Sequence, residues 1–384
     1  AYENCDGYRE LYLQNNITPR DFQCLDDLSN YPYVTKELLR DNLAAFTSNE
    51  FTKRELHYCT TGGSTGIPFG FYNTKSELLL EKAYIHSVWE HFGWSLRDRN
   101  IEIRGSFNEK NKLSYYNPLH NQHYLSLYNL SETNYLSYRK YIIENNITNL
   151  QAYPSAAFEL ANLILSHQDE SFFNFKNILL GSENIYPWQL ERIKQAFQGP
   201  TIVAWYGNAE KSNLASWMPS DSSYHFSPTY SFTETKETDQ ENLKEIIGTS
   251  FWLKAMPLIR YRTMDTGYVD EKKSLKSDCV VFSSIEGRSH EFITSRTGQK
   301  ISMTAINMHD DIFDNLKQFQ FEQKKMGQIT LNIIPKKNFS SEQLSLIQER
   351  LSKKLTDFKL DVNIVERISK SASGKHSFLK SSAE

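Results

Sequence analysis

The stretch TNLQAYPSAAFELANLILSH, residues 148–167, has the pattern of a short strand, a turn and a helix. TNLQA is strand-like, YPSA is typical of a turn, and AFELANLILSH places apolar residues at helical spacing. The same order follows in KNILL-GSENIYP-WQLERIKQAF and begins again in TIVAW-YGNAEKSN, residues 176–197 and 201–213. Units of this kind join parallel strands through right-handed crossovers, so the sequence predicts an α/β fold with a parallel sheet.

The turns that follow these strands carry polar and aromatic side chains. In open α/β sheets, ligands bind beyond the carboxyl ends of the strands, and all of these turns share that edge. The sequence therefore predicts one crevice that collects Tyr153, Ser182, Glu183, Tyr206 and Glu210.

The rest of the chain changes its pattern twice. Residues 230–285 contain strand-like runs with short turns, which predict a small antiparallel β subdomain, and the polar run ETKETDQEN within them predicts a solvated loop. The tail predicts a hairpin turning near Gly327, an amphipathic helix capped by Ser340 or Ser341, and DVNIVERI as a last strand. This tail reads as a small α+β unit whose boundary falls near EGRSHEF, residues 286–292.

Composition and charge exclude several classes of protein. Of 384 residues, 39% are hydrophobic and 23% are charged, which is typical of soluble globular domains. The net charge of −3 gives no electrostatic argument for nucleic acid or an anionic membrane as a partner. No apolar run approaches a membrane span, the first residues lack a signal-peptide pattern, and no CxxC pair occurs. We therefore expect a cytoplasmic protein with reduced thiols and no integral membrane segment.

The run CTTGGSTGIPFGFY, residues 59–72, is rich in Gly, Ser and Thr. Such a run is either a flexible linker or a loop whose backbone N–H groups hold an anion. It precedes a helix with a capping box at Thr74 and Glu77, which favours the anion loop. The Walker A pattern is absent because Gly66 is followed by Ile67, and no GxGxxG occurs.

Five motifs in order resemble those of the acyl-adenylate-forming ligases. They are TTGGSTGIP, WYGNAEK, RYRTMDTG, GRSHEFI and SASGK, and they lie between residues 60 and 375. Within this superfamily the chain is most similar to the phenylacetate–coenzyme A ligase branch, and there to the capsular-polysaccharide (CapK-like) relatives. The resemblance implies a large N-terminal domain, 1–286, followed by a small C-terminal lid domain, 287–384. It also implies ATP and Mg²⁺ as cofactors, with acyl-AMP formed from a carboxylic acid and then passed to an acceptor.

The resemblance also assigns roles to residues of this sequence. Lys375 would be the catalytic lid lysine and Glu210 the Mg²⁺ ligand, while Tyr153 and Pro154 would line the acid pocket. The nucleotide would contact Thr61, Gly62, Gly63, Ser64, Thr65, Gly66, Ser182, Glu183, Tyr206, Gly207, Asn208, Asp265 and Arg288. The chain departs from the family pattern at Ile67, Ala209, Met264 and His290.

The resemblance leaves the acceptor and even catalysis open. The first hypothesis is an amine acceptor, such as an amino sugar or amino acid of a surface polysaccharide. The second is coenzyme A, although no clear basic patch for its ribose phosphate is visible. The third is a non-catalytic nucleotide-binding relative. His120 and His123 lack a third ligand and are expected to be surface residues, without a metal.

Overall fold

The computed structural model describes most of the 384-residue chain. The residues that it does not describe are 62–68, 106, 108–111, 184, 186, 239–241, 287–291, 303–305, 307–310, 314, 337, 369–378 and 382–384.

Helices and strands alternate through the central part of the chain. The helices are α1 (Asp6–Gln14), α2 (Lys36–Asp41), α3 (Leu43–Phe46), α4 (Lys75–His91), α5 (Tyr135–Glu144), α6 (Pro154–His167), α7 (Pro187–Ala196), α8 (Glu271–Ser277) and α9 (Ser341–Lys354). The strands are β1 (Leu56–Thr61), β2 (Phe69–Thr74), β3 (Asn100–Ile103), β4 (Ser114–Asn117), β5 (Gln122–Leu125), β6 (Asn149–Ala152), β7 (Asn177–Gly181), β8 (Thr201–Gly207), β9 (Leu214–Met218), β10 (Ser223–Phe226), β11 (Ser231–Glu237), β12 (Leu243–Ser250), β13 (Tyr261–Val269), β14 (Val281–Glu286), β15 (Phe292–Thr294), β16 (Lys300–Ser302), β17 (Leu316–Lys325), β18 (Gln328–Pro335), β19 (Lys359–Ile364) and β20 (Leu379–Ser381). No helix in the described ranges has the length and apolar composition that a membrane crossing requires.

The chain divides into two compact units, which we call the first and the second unit. The first unit consists of Ala1–Thr60, Phe69–Val88 and Trp205–Gly287. The second unit consists of Thr61–Pro68, Trp89–Ala204 and Arg288–Glu384. The predicted domains 1–286 and 287–384 are a different division of the chain and stay a prediction.

The second unit contains the parallel strands that the sequence predicts. β3 pairs with β6 and β6 with β7 in parallel, so that Asn100, Asn149 and Asn177 lie in one row. These side chains are buried, and Asn177 Nδ2 donates to Asn149 Oδ1 at 2.9 Å. Hydrogen-bonded amides fix the register of the strands, because an unpaired buried amide would be costly. The residues that follow these strands therefore share one edge, as predicted.

The first unit is built from antiparallel strands and the N-terminal helices. The strand order is β11-β12-β13-β14-β10-β9, with antiparallel pairs through β14 and β10. An aromatic-rich cluster joins the helices to the end of this sheet, with Tyr8, Phe46 and Tyr261 at or near zero exposure. The predicted capping box of α4 is confirmed, since Glu77 accepts the Thr74 N–H and Thr74 Oγ1 accepts the Glu77 N–H. The α/β class with a parallel sheet and an antiparallel subdomain is confirmed.

The C-terminal part of the chain forms a four-stranded sheet in the order β19-β18-β17-β20. The predicted hairpin turn is confirmed at Gly327, whose φ of 70° is the left-handed conformation that glycine favours. Ser340 is the N-cap of α9 and accepts the Gln343 N–H. DVNIVERI is not the last strand, because β20 follows it and pairs in parallel with β17.

Two other local predictions are wrong. The polar run ETKETDQEN is not all loop, because β11 continues through Glu237 and pairs with β12 as far as Lys244. The turn between β13 and β14 contains α8, which the sequence pattern does not predict. Asp270 caps this helix by accepting the Lys273 N–H at 3.0 Å. Both segments are polar elements that local hydrogen bonds hold at the surface.

Candidate active site

Glu210 lies in the loop after β8 and exposes only 3% of its side chain. Its Oε1 atom accepts a hydrogen bond of 2.9 Å from the Tyr261 hydroxyl and lies 2.7 Å from Lys36 Nζ. Burial alone would raise the pKa of Glu210, but the Lys36 ammonium and these hydrogen bonds hold that pKa below its usual value. Glu210 is therefore an ionised carboxylate at neutral pH.

Lys36 reaches Glu210 because the N-terminal segment is fixed against β13. Val34 forms a parallel bridge with Tyr261, the first residue of that strand. Thr35 is the N-cap of α2, so Lys36 is the first residue of the helix. One short pairing between two backbone segments thus positions both groups that contact Glu210.

The loop after β8 is held by polar side chains with little exposure. Asn208 Oδ1 accepts the Ser212 N–H at 2.9 Å, and its Nδ2 donates to the Ser212 hydroxyl at 2.7 Å. Asn213 in turn donates to the Thr233 hydroxyl at 3.0 Å. Gly248 of β12 packs so closely here that a Cβ atom on it would lie 2.1 Å from Asn213 Oδ1. The loop that carries Glu210 is therefore preorganised.

Lys211 is a second buried charge in the same loop. Its φ of 63° is left-handed, and its side chain is 6% exposed. Its Nζ donates to the Ala209 carbonyl at 2.9 Å and lies 3.3 Å from Glu81 Oε2. Each of the two consecutive charges therefore has its own partner, and Lys211 does not neutralise Glu210.

Tyr206 at the end of β8 contacts Asp265 of β13. Its hydroxyl donates a hydrogen bond of 2.8 Å to Asp265 Oδ2, and its ring packs 5.7 Å from that of Phe226. Burial, and then the Asp265 carboxylate, raise the pKa of Tyr206 well above its ordinary value. Tyr206 therefore stays protonated and acts as a donor that orients Asp265.

Asp265 sits on a bulge of β13. Between Arg262 and Thr266, three residues of β13 face one residue of β12. The middle residue, Met264, has a left-handed φ of 65°, and the Thr263 hydroxyl accepts the Asp265 N–H at 3.0 Å. A bulge of this kind re-aims a side chain next to a site. Glycine adopts such a φ without strain, whereas methionine does not.

The second unit gathers side chains at the carboxyl edge of its parallel strands. Arg104 follows β3, Tyr153 follows β6 and Ser182 follows β7. The Arg104 guanidinium carbon lies 4.9 Å from the centroid of the buried Tyr153 ring, and Nη2 donates to the Ser182 hydroxyl. Ser182 is exposed and has a left-handed φ of 67°. The topological prediction for Tyr153 and Ser182 is thus confirmed within this unit.

Glu183 fixes the start of α6. It is buried, and its two carboxylate oxygens accept the Ser155 N–H and hydroxyl, each at 3.1 Å. Pro154 is the first residue of the helix and Ser155 the second. The carboxylate therefore satisfies an N–H that a helix start leaves unpaired, and its charge complements the helix dipole.

Comparisons with known proteins find related sequences and similar folds. The family model of the CapK C-terminal domain matches residues 293–382. Protein CapK of Staphylococcus aureus is 22% identical over 342 residues, which cover 86% of this chain and 74% of that protein.

Solved structures give the fold of the whole chain. 2-Hydroxyisobutyryl-CoA ligase in complex with 2-HIB-AMP and CoA has a TM-score of 0.62 and 14% identity, covering 100% of this chain and 87% of that one. The same ligase in its postadenylation state with R3-HIB-AMP has a TM-score of 0.60 and 14% identity, covering 99% and 86%. The resemblance to acyl-adenylate-forming and CapK-like proteins is thus confirmed for the fold and for the CapK C-terminal segment.

The structure brings part of the predicted site together. Tyr206, Asn208, Glu210 and Asp265 lie in the first unit, with Gly207 between the first two. Tyr153, Pro154, Ser182 and Glu183 lie in the second unit, and Thr61 ends β1. The predicted residues outside the described ranges are Gly62, Gly63, Ser64, Thr65, Gly66, Arg288 and Lys375. The roles of all these residues stay predictions.

Three residues that contact predicted site residues, Tyr261, Lys36 and Arg104, were not identified from the sequence. Tyr261 lies inside the motif RYRTMDTG, but its contact with Glu210 gives no sequence signal. Lys36 belongs to a segment far away in the chain. Arg104 directly follows β3, so the rule that identified Tyr153 also applies to it.

The two histidines differ from each other. His120 is exposed, as expected. His123, expected at the surface, is instead buried, and its Nδ1 lies 2.9 Å from the Tyr141 hydroxyl. Burial lowers the pKa of His123, so it is a neutral core residue. Across the described residues, no group of three or more His, Cys, Asp or Glu side chains gathers to hold a metal ion.

Proposed function

We propose that this protein uses ATP to convert a carboxylic acid to acyl-AMP, with release of pyrophosphate, and transfers the acyl group to an amine. The observation that carries this proposal is the buried, ionised Glu210 in a preorganised loop of a chain with this ligase fold. Tyr206 and Asp265 in the same unit supply a ring and a carboxylate acceptor suited to a nucleoside.

The residues present fit a bound magnesium nucleotide. Mg²⁺ prefers oxygen ligands and commonly binds one or two carboxylates together with phosphate oxygens. Glu210 is one ionised carboxylate, and its two partners, the Tyr261 hydroxyl and the Lys36 ammonium, both contact Oε1, so Oε2 would be the oxygen for the metal. When bound, Mg²⁺ would offset the negative charge of the phosphates.

The other side chains would position ATP and stabilise charge. Asp265, oriented by Tyr206, would accept hydrogen bonds from the ribose hydroxyls. The Tyr206 ring and Gly207 would lie along the base, and Asn208 or the loop backbone would contact the α-phosphate. Attack of the acid carboxylate on the α-phosphate increases negative charge on the phosphate oxygens. Lys375 would stabilise that charge as a cation on a long side chain.

The amine acceptor is favoured by the resemblance of TGGSTGIPFGFY and WYGNAE to capsular-polysaccharide relatives, and Protein CapK of Staphylococcus aureus is 22% identical to this chain. From that motif resemblance we infer a role in surface polysaccharide biosynthesis at a cytoplasmic location. Coenzyme A is the second candidate, because 2-hydroxyisobutyryl-CoA ligase, with the same fold, has been solved with CoA bound.

Acid-dependent ATP–pyrophosphate exchange tests the adenylation step. We expect exchange with one class of acid in a panel of amino acids, aryl acids and short fatty acids. Lys375→Ala is expected to reduce exchange at least a hundredfold. Lys380→Ala, which removes an exposed lysine of β20, is the matched control and should retain activity. Tight ATP binding without exchange on any acid would instead support the non-catalytic hypothesis.

The acceptor requires a separate measurement. The adenylated acid is offered to amino sugars, amino acids and coenzyme A in parallel, and the products are identified by mass spectrometry. An amide with an amine and no thioester with coenzyme A is the expected result. A thioester formed faster than any amide would contradict the amine proposal while leaving adenylation in place.

A further inference from the structure

Arg104 is a positive charge at the carboxyl edge of the parallel strands in the second unit. It directly follows β3, and Tyr153 and Ser182 follow the neighbouring parallel strands β6 and β7. Its guanidinium stacks over the Tyr153 ring and donates to the Ser182 hydroxyl. Both partners are neutral, so they orient the guanidinium without offsetting its charge.

The charge of Arg104 has no carboxylate partner among the described residues. The nearby Glu183 carboxylate is occupied by the Ser155 N–H and hydroxyl at 3.1 Å. A half-buried guanidinium that is held by a ring and a hydroxyl retains donors for an anion, because it has five N–H groups in a rigid fork. Such a fork matches a carboxylate, phosphate or sulfate group.

We propose that Arg104 determines substrate specificity by binding a second anionic group of the acid, so that the preferred substrates are dianionic acids such as dicarboxylates. This inference rests on the proposed adenylation function. Tyr153 would pack against the carbon skeleton between the two anionic groups, and Ser182 would hold the guanidinium in its stacked orientation.

The chemistry favours a second, distal anionic group of the acid, and not the reacting carboxylate, as the group that Arg104 binds. The reacting carboxylate loses its charge when its oxygen bonds to the α-phosphorus and pyrophosphate leaves. A guanidinium paired with it would stabilise the ground state more than the transition state and would slow the step. A second anion keeps its charge through both half-reactions. Arg104 can therefore bind this second anion equally well in the ground state and the transition state, and so contribute to selection among acids.

Matched acids that differ only in the distal charge test this proposal. Malonate, succinate, glutarate and adipate are compared with their monoamides by ATP–pyrophosphate exchange. We expect at least one dicarboxylate to exceed its monoamide tenfold or more in kcat/KM. Arg104→Gln should lower kcat/KM for that dicarboxylate about tenfold to a hundredfold, which corresponds to one lost charge-assisted contact, and leave the monoamide within threefold. Arg97→Gln, which removes an exposed arginine on the other side of β3, is the control.

Direct measurement of dicarboxylate binding tests the Arg104 site independently of the adenylation step. Binding of each dicarboxylate to the wild type and to Arg104→Gln is measured by ligand-observed NMR without ATP. If no acid supports exchange, the adenylation proposal fails, whereas dicarboxylate binding lost in Arg104→Gln would still support the anion site. Exchange that prefers monoamides, or equal dicarboxylate binding by wild type and variant, would overturn the role of Arg104. If the unfolding temperature of Arg104→Gln lies within a few degrees of the wild-type value, a loss of dicarboxylate binding reflects recognition and not misfolding.

Discussion

At the scale of single residues, the pair of Glu210 and Lys36 makes a definite stability prediction. Their charged atoms lie 2.7 Å apart, with side-chain exposures of 3% and 16%. Lys36→Met would leave a buried carboxylate without its cation, which typically costs about 3–5 kcal/mol. We expect a loss of this size in the free energy of unfolding, measured by urea denaturation.

A double-mutant cycle with Glu210→Gln gives the control for this prediction. Glutamine still accepts the Tyr261 hydroxyl hydrogen bond but carries no charge that needs Lys36. Lys36→Met should therefore cost less in the Glu210→Gln background, with a coupling energy of about 1–3 kcal/mol. If Lys36→Met costs less than about 0.5 kcal/mol in the wild type, the ion pair does not contribute to stability.

Two glycines near the loop give a matched steric prediction. A Cβ atom on Gly248 would lie 2.1 Å from Asn213 Oδ1, whereas on Gly207 it would meet nothing closer than 3.5 Å. Gly248→Ala is therefore expected to cost about 2 kcal/mol or more in unfolding free energy, and Gly207→Ala less than about 1 kcal/mol. Gly207→Ala should weaken ATP binding in calorimetry, because the added methyl group stands where the base is proposed to lie. Unchanged affinity would remove Gly207 from the nucleotide site.

At the scale of elements, the bulge in β13 predicts opposite effects of two substitutions at one position. Met264 has a φ of 65° and is half-exposed, so its side chain contributes little packing. A left-handed φ costs a non-glycine residue about 1–2 kcal/mol, and a β-branched residue more. Met264→Gly should be neutral or stabilise by up to about 1 kcal/mol, whereas Met264→Val should destabilise. Thermal unfolding of both variants measures the difference, and the opposite order would refute strain at this bulge.

The elements that were predicted correctly are those whose own residues show a periodic apolar pattern or a turn signal. β6, α6 and β7 combine apolar runs with a helix start at Pro154, and Gly327 marks the C-terminal hairpin turn. α8 was not predicted because Leu275, its one large apolar residue, is 85% exposed, so the helix has no apolar face. β20 was not predicted because it is three residues long and its parallel pairing with β17 joins segments that are distant in the chain.

At the scale of the whole molecule, the site depends on contacts between segments that are distant in the chain. Tyr206 and Asp265 were predicted as separate motif residues, but their hydrogen bond follows only from the packing of β8 and β13. The contact between Lys36 and Glu210 likewise requires the bridge from Val34 to Tyr261. Periodicity reports the face that a residue occupies within one element. It does not report which distant element meets that face, so these pairings required the structure.

The predicted boundary near residue 287 can be tested on the whole chain by limited proteolysis. The sequence pattern changes at EGRSHEF, and domain boundaries are preferred sites of cleavage. We therefore expect trypsin at low concentration to cut first after Arg288, which releases a C-terminal fragment beginning at Ser289. Arg288→Gln should slow this cut selectively, and mass spectrometry of the fragments identifies each site. First cleavage within residues 89–204 or 293–381 would instead place the weakest connection inside a predicted domain and would contradict the division at 286 and 287.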